Sequence, residues 1–155
     1  MPVDQIVQPW SIRSTLVSLT DLSRSVAFYR EVGPFEEVAR DVDVVILGDV
    51  SPRPTFLILR EARSMHHIRH GQQALGLRSI SFDVGAPAEL DRVESVLRKH
   101  DLFTSRGPVA DAPSELLRGR DPDNLPLVFV SYPGEITLSS EYYRTIASLV
   151  YSLDI

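Results

Sequence analysis

The stretch that decides the fold is STLVSLTDLSRSVAFYREV, residues 14–32. Its first third alternates small or polar residues with apolar ones, which is typical of a half-buried strand. Asp21 then offers a helix-capping carboxylate. From Leu22 onward apolar residues recur at helical spacing, until Gly33 ends the pattern. The segment therefore predicts a strand that is followed directly by an amphipathic helix.

The same order returns in the second half of the chain. Residues 77–84 alternate as a strand does, and Pro87 begins a helix that ends near His100. Three short strands follow each helix, at 35–40, 43–47 and 55–59 in the first half and at 103–106, 115–120 and 127–131 in the second. A last amphipathic helix is predicted for 139–153. The sequence thus predicts an α+β chain built from two βαβββ repeats.

Composition excludes several classes of function. The chain has 155 residues, 16 Lys and Arg against 21 Asp and Glu, a net charge of −5 and no Cys. A disulfide framework, a thiolate nucleophile and a Cys-based metal site are therefore excluded. No basic cluster points to nucleic acid, and no apolar run is long enough for a membrane span. The acidic N-terminal stretch lacks the features of a signal peptide, so we expect a cytoplasmic location.

The sequence resembles the vicinal oxygen chelate superfamily, which includes glyoxalases, bleomycin resistance proteins and extradiol dioxygenases. The stretches that carry the resemblance are residues 14–32, GLRSISFDV at 76–84 and RDPDNLPLVFV at 120–130. The resemblance implies a single domain over 1–155, in which a sheet from each module curls round a shared cleft. It also implies a homodimer. We expect the modules at about 12–62 and 76–133, with a linker at 63–75.

The resemblance further implies one divalent metal in the cleft, held by a His of the first strand, a His of the fifth and a Glu of the eighth. Here those positions fall on Ser14, Ser79 and Val128. A neutral hydroxyl is a poor ligand for a divalent ion, and a Val side chain offers no donor at all. The sequence therefore predicts neither a metal nor another cofactor at the site that the fold usually carries.

Strand alternation extends this interpretation to the neighbouring residues. The residues expected to face a ligand in the cleft are Ser14, Leu16, Ser18, Ser79, Ser81, Val128 and Val130. The residues expected to pack under the helices are Thr15, Val17, Leu19, Ile80, Phe82 and Val84. A wall of hydroxyls and aliphatic groups suits an organic ligand held by shape and a few hydrogen bonds. Small polar residues also simply fill space on a sheet.

Three ionisable residues are candidates for acid–base chemistry. Asp83 ends the fifth strand and is a candidate general base or counter-ion. Arg118 and Arg120 lie two apart on the seventh strand, so they point the same way and suit anion recognition or a pair with Asp83. A surface salt bridge is the alternative for the carboxylate, and plain solvent exposure is the alternative for each guanidinium.

The segment MHHIRH, residues 65–70, contains three of the four histidines. On a helix, His66 and His70, or His67 and His70, have a spacing that a metal accepts. No carboxylate accompanies them, and the segment falls in the linker. A solvated linker is therefore the simpler interpretation.

The leading hypothesis is a metal-independent protein that binds a hydrophobic or aromatic small molecule. The bleomycin resistance branch of the superfamily, as the resemblance implies, offers the precedent of a dimer that holds a drug without metal. The alternative is a lyase, isomerase or dioxygenase-type enzyme that uses Asp83 with Arg118 or Arg120, or a relocated metal. A third hypothesis is a partner-binding module whose C-terminal helix is the functional surface.

Overall fold

The computed structural model describes residues 12–62, 79–110 and 112–136, together with Tyr142, Arg144 and Thr145. The elements of these residues are, in chain order, β1 (Ser14–Leu19), α1 (Leu22–Val32), β2 (Phe35–Arg40), β3 (Val44–Asp49), β4 (Phe56–Glu61), β5 (Ile80–Asp83), α2 (Pro87–Lys99), β6 (Phe103–Pro108), β7 (Glu115–Arg120) and β8 (Pro126–Ser131). The chain is α+β, with the βαβββ order twice, as predicted.

Local chemistry sets the bounds of α1. The Asp21 side chain accepts a hydrogen bond from the Arg24 backbone N–H at 2.9 Å, which satisfies one of the donors that a helix start leaves unpaired. At the other end, the Gly33 N–H donates to the Tyr29 carbonyl at 3.1 Å. The face between these ends is buried and includes Val26 and Phe28. The bounds predicted for this helix are confirmed.

The two modules have the same sheet topology. The strand order is β1-β4-β3-β2 in the first sheet and β5-β8-β7-β6 in the second. In each sheet the first strand pairs in parallel with the last, and the other pairs are antiparallel. β5 ends at Asp83, one residue before the predicted end of the strand, and Gly85 then turns the backbone with a φ of 74°. Residues 77 and 78 of the predicted strand lie outside the described residues.

One apolar core joins the modules. It contains Leu47 and Leu59 of the first sheet, Leu90 and Leu97 of α2 and Leu117 of the second sheet, all fully buried. The residues expected under the helices lie on this side: Val17 and Leu19 are buried in the core, and Ile80, Phe82 and Val84 pack against it. Since both modules contribute to a single cluster, neither buries its apolar face alone.

A buried polar junction also links the modules. The Asp121 side chain follows β7 and is fully buried. Its carboxylate accepts hydrogen bonds from the Tyr29 hydroxyl of α1 and from the backbone N–H groups of Asp123 and Leu125, each at 2.9 Å. Next to it, the Asp123 carboxylate accepts from the backbone N–H and the hydroxyl of Thr20. The turn before β8 is therefore fixed to the start of α1.

The Asp121 carboxylate makes stability depend on pH. Burial raises the pKa of Asp121, although its hydrogen bonds to Leu125 and Tyr29 act in the opposite direction. The folded chain therefore keeps this proton to a higher pH than the unfolded chain. We expect the unfolding free energy of the wild type, minus that of Asp121→Asn, to fall as the pH rises above about 4, the pKa of an Asp in an unfolded chain. Urea titrations at several pH values check this, and a constant or rising difference contradicts it.

Two parts of the prediction lie outside the described residues. These are the linker at 63–75 and most of the helix predicted for 139–153, of which Tyr142, Arg144 and Thr145 are described and helical. In the described part of the chain, no helix has the length and apolarity to cross a membrane. The cytoplasmic location stays a prediction.

Candidate functional site

The face of the first sheet that points away from the helices is open. Strand register places Leu16, Ile58 and Ile46 in one row across β1, β4 and β3. The Leu16 side chain is 55 % exposed, and Ser14 and Ser18 flank it on the same strand, also exposed. Three of the residues predicted to face a ligand thus lie on this open surface.

The corresponding face of the second sheet is covered. Val128 and Val130 are buried in a small apolar cluster with Leu116, and Tyr132 and Tyr142 pack against that cluster. The two tyrosine rings meet edge to face, with centroids 5.2 Å apart. Burial, and after it the charge of the Asp83 carboxylate, raise the pKa of Tyr142. The two valines predicted to line the cleft are therefore shielded by residues that follow β8.

A second contact holds this cover in place. The hydroxyls of Ser114 and Thr145 share a hydrogen bond of 2.5 Å, and both residues are buried. Thr145 therefore lies beside the start of β7.

Arg118 lies on the same face, since its register partner on β8 is Val128. Its Nε is buried and has no hydrogen-bond partner among the described residues, and burial lowers the pKa of the Arg118 guanidinium. Arg120, two residues further on, donates from Nη1 to the Asn124 carbonyl at 3.3 Å. Of the two candidate arginines, Arg118 is the one with an unsatisfied donor.

A cavity of about 580 Å³ lies between the modules. The first module contributes Thr15 of β1, Phe35 of β2 and Leu57 of β4 to its wall. The second module contributes β5 with the preceding Ser79, Phe129 of β8, and the beginning of α2. The lining is mostly apolar. Its volume falls in the range of small-molecule pockets, about 300 to 1,000 Å³.

The edge strand β5 and the residue before it supply three of the polar side chains in this cavity. Ser79, Ser81 and Asp83, all predicted site residues, line it together with Ile80 and Phe82. Side chains from both faces of β5 reach the cavity because β5 lies at the edge of its sheet. The structure thus brings these three polar residues together with Thr15, which was expected only under a helix.

The family's metal positions do not fit a metal in this chain. Ser14 is exposed on the open face of the first sheet, Ser79 lines the cavity, and Val128 is 1 % exposed and offers no donor. Nowhere in the described ranges do three His, Asp or Glu side chains meet in a way that suits an ion. His66, His67 and His70 lie outside the described residues, and the absence of a cofactor stays a prediction.

The sequence analysis missed the aromatic part of the cavity. Phe35, Phe82 and Phe129 all line it. Alternation predicted that Phe82 packs under a helix, but a core position and a cavity wall have the same pattern. Arg92 of α2 was missed as well, because its partners lie in the other module, about 60 residues away in the sequence.

Solved structures show what the fold is. A glyoxylase/bleomycin resistance protein/dioxygenase domain from Frankia sp. EAN1pec is 23% identical, with a TM-score of 0.66 over 81% of this chain and 99% of that chain. Lactoylglutathione lyase from Agrobacterium tumefaciens is also 23% identical, with a TM-score of 0.58 over 79% and 94%. The fosfomycin resistance protein FosX from Listeria monocytogenes is 14% identical, with a TM-score of 0.61 over 84% and 97%.

The chain therefore has the glyoxalase/bleomycin resistance/dioxygenase fold, and the resemblance seen in the sequence is confirmed at the level of the fold. No protein-family profile matches the sequence, and no curated protein matches it. At these identities the neighbours establish architecture, so function has to be argued from the residues of this chain.

Proposed function

We propose that this chain binds an organic small molecule in the cavity between its modules, and that it does so without a metal. The observation that carries the proposal is the cavity of about 580 Å³ that both modules line. Its apolar wall, with a few hydroxyls and the Asp83 carboxylate, has the composition of a site that holds its ligand by shape and a few polar contacts.

The donor set supports metal independence. The usual His, His and Glu positions hold Ser14, Ser79 and Val128, and these three do not share one site: the first is on an open sheet face, the second lines the cavity and the third is buried. Binding energy must then come from apolar contact and hydrogen bonds.

The experiment that tests this function is a thermal-shift screen of divalent metals beside aromatic natural products. A ligand that binds only the folded state raises its stability by mass action. We expect organic compounds to raise the melting temperature with no metal present, and EDTA to leave these shifts unchanged. A screen in which no organic compound shifts the melting temperature counts against the proposal.

An enzyme is the second candidate, and the unpaired Nε of Arg118 is the observation that favours it. A half-buried guanidinium whose Nε has no partner among the described residues suits an anionic substrate group, with Asp83 as a base, Arg120 in support, or a relocated metal. Metal analysis separates the candidates. Stoichiometric iron, manganese, nickel or zinc in the purified protein, whose removal abolishes ligand binding, favours the enzyme.

We further propose that the chain is a homodimer that uses the open face of the first sheet. Leu16 is 55 % exposed and Val38 is 60 % exposed, and Ile46 and Ile58 complete an apolar surface between them. A contiguous apolar surface of this kind marks an interface more often than free surface.

The dimer is tested by placing a charge on this face. We expect the wild type to sediment as a dimer in analytical ultracentrifugation and Leu16→Glu to sediment as a monomer, because a buried unpaired carboxylate opposes association. Val42→Glu is the matched control, since Val42 is 95 % exposed in the turn between β2 and β3. A wild type that is monomeric at the same concentration contradicts the proposal.

A further inference from the structure

The floor of the inter-module cavity is aromatic. The rings of Phe82 and Phe129 stack, with centroids 5.4 Å apart and an angle of 19° between their planes. The Phe35 ring meets Phe82 edge to face at 6.1 Å. All three residues line the cavity. Aromatic surfaces arranged in this way favour a flat ring system, which gains both apolar contact and ring–ring interaction.

The cation at the cavity wall already has a carboxylate partner. Arg92 donates from Nε to the Glu89 carboxylate at 3.0 Å. Its Nη1 and Nη2 donate to the backbone carbonyls of Glu31 and Val32 at 3.1 and 2.8 Å, at the end of α1. These bonds tie α2 to α1 and use three of the five N–H donors of the guanidinium. Because Glu89 also lines the cavity, its carboxylate offsets the charge that Arg92 presents to an anionic ligand group.

The carboxylates of the cavity wall differ in how many hydrogen bonds they accept. Asp49 accepts hydrogen bonds from the N–H and hydroxyl of Ser51 and from the N–H of Thr55. Asp83 accepts one, from the Gly85 N–H to Oδ1 at 2.9 Å, and its Oδ2 has no hydrogen-bond partner among the described residues. Glu89 is a third carboxylate of the wall, and it is paired with Arg92. Asp83 is thus the wall carboxylate that has a free oxygen and no cationic partner among the described residues, and the hydroxyl of Ser81 lies on the same side of β5.

From this geometry, and resting on the proposed function of the same cavity, we infer that the ligand class is a planar aromatic compound that carries a positively charged nitrogen. The ring system lies on the Phe82 side of this floor, because Phe82 is partly exposed whereas Phe129 is 3 % exposed and stacks behind it. Asp83 is the counter-ion of the nitrogen. The hydroxyls of the wall are neutral and Arg92 is paired with Glu89, so the charge preference comes from Asp83.

Three matched probes test this inference by isothermal titration calorimetry: 2-naphthylmethylamine, 2-naphthalenemethanol and 2-naphthoate. They share one ring system and differ in charge. We expect the amine to bind about two- to fivefold more tightly than the alcohol, and the carboxylate to bind most weakly, as suits one ion pair with an exposed carboxylate. The preference should shrink as salt is added.

Asp83→Asn is the decisive variant, since it keeps an acceptor and removes the charge. We expect this variant to bind the amine only as tightly as it binds the alcohol. Its affinity for the alcohol should equal that of the wild type. Asp101→Asn, which removes an exposed carboxylate at the far end of α2, is the matched control and should preserve the preference. If the alcohol binds as tightly as the amine, or if Asp83→Asn keeps the preference for the amine, the inference about charge is wrong. The proposal that the cavity binds an organic molecule is not affected by that result. If none of the three probes binds, the inferred ligand class is wrong, and the thermal-shift screen then decides whether the proposed function fails with it.

Discussion

Replacing Asp121 by Ala is expected to lower the free energy of unfolding by about 3 kcal/mol. The carboxylate accepts three hydrogen bonds in a fully buried position, from the Tyr29 hydroxyl and from the N–H groups of Asp123 and Leu125. Truncation leaves these donors without a partner and away from water, and each orphaned group costs about 1 to 3 kcal/mol before relaxation. Because the junction joins α1 to the turn before β8, both modules should lose stability together.

Urea denaturation followed by far-ultraviolet circular dichroism measures this loss. Asp121→Asn keeps the Oδ1 acceptor for the two N–H groups, so it should cost about 1 kcal/mol. Glu135→Ala removes an exposed carboxylate and should be neutral within about 0.5 kcal/mol. A loss below about 1 kcal/mol in Asp121→Ala contradicts the view that this carboxylate holds the modules together.

Filling the cavity should abolish ligand binding. Thr15 lies on β1 and lines the cavity, and a Trp at this position places an indole in the space that a flat ligand would take. We expect Thr15→Trp to weaken the binding of 2-naphthalenemethanol more than about 30-fold, because the probe loses its contact with the Phe82 and Phe129 floor. The affinity is measured by isothermal titration calorimetry.

The neighbouring residue gives a matched control. Ser14 is on the same strand but on the opposite, open face of the sheet. Ser14→Trp adds the same side chain outside the cavity and should bind the probe as the wild type does. Melting curves of both variants show whether each is folded. If Ser14→Trp abolishes binding and Thr15→Trp retains it, the ligand lies on the open sheet face, where the sequence analysis had expected it.

The fold could be predicted from local patterns because the decisive signals are local. The Asp21 cap, the helical spacing up to Val32 and the alternation of 14–19 each depend on residues that are close in the sequence. The repeat of this pattern in the second half then gives the architecture. Strand ends were less well predicted. The strand predicted for 43–47 is β3, which extends to Asp49. The position at which a strand ends depends on contacts with residues outside that strand.

The site could be predicted only in part. Alternation predicted that Ser79, Ser81 and Asp83 face one cleft together with Ser14 and Val128, and the first three do line the inter-module cavity. The structure separates these residues, because Val128 is covered by residues after β8 and β5 lies at a sheet edge that borders a cavity. Such arrangements depend on how modules and chain ends pack, and no periodicity in one strand carries that information.

The central claim is that the inter-module cavity binds an organic molecule without a metal. Calorimetric titration of 2-naphthalenemethanol into the wild type, before and after exhaustive dialysis against EDTA, tests it most directly. The account predicts one binding site per chain and the same dissociation constant in both samples. Loss of binding after chelation, with recovery when zinc, manganese, nickel or iron is added back, would contradict it.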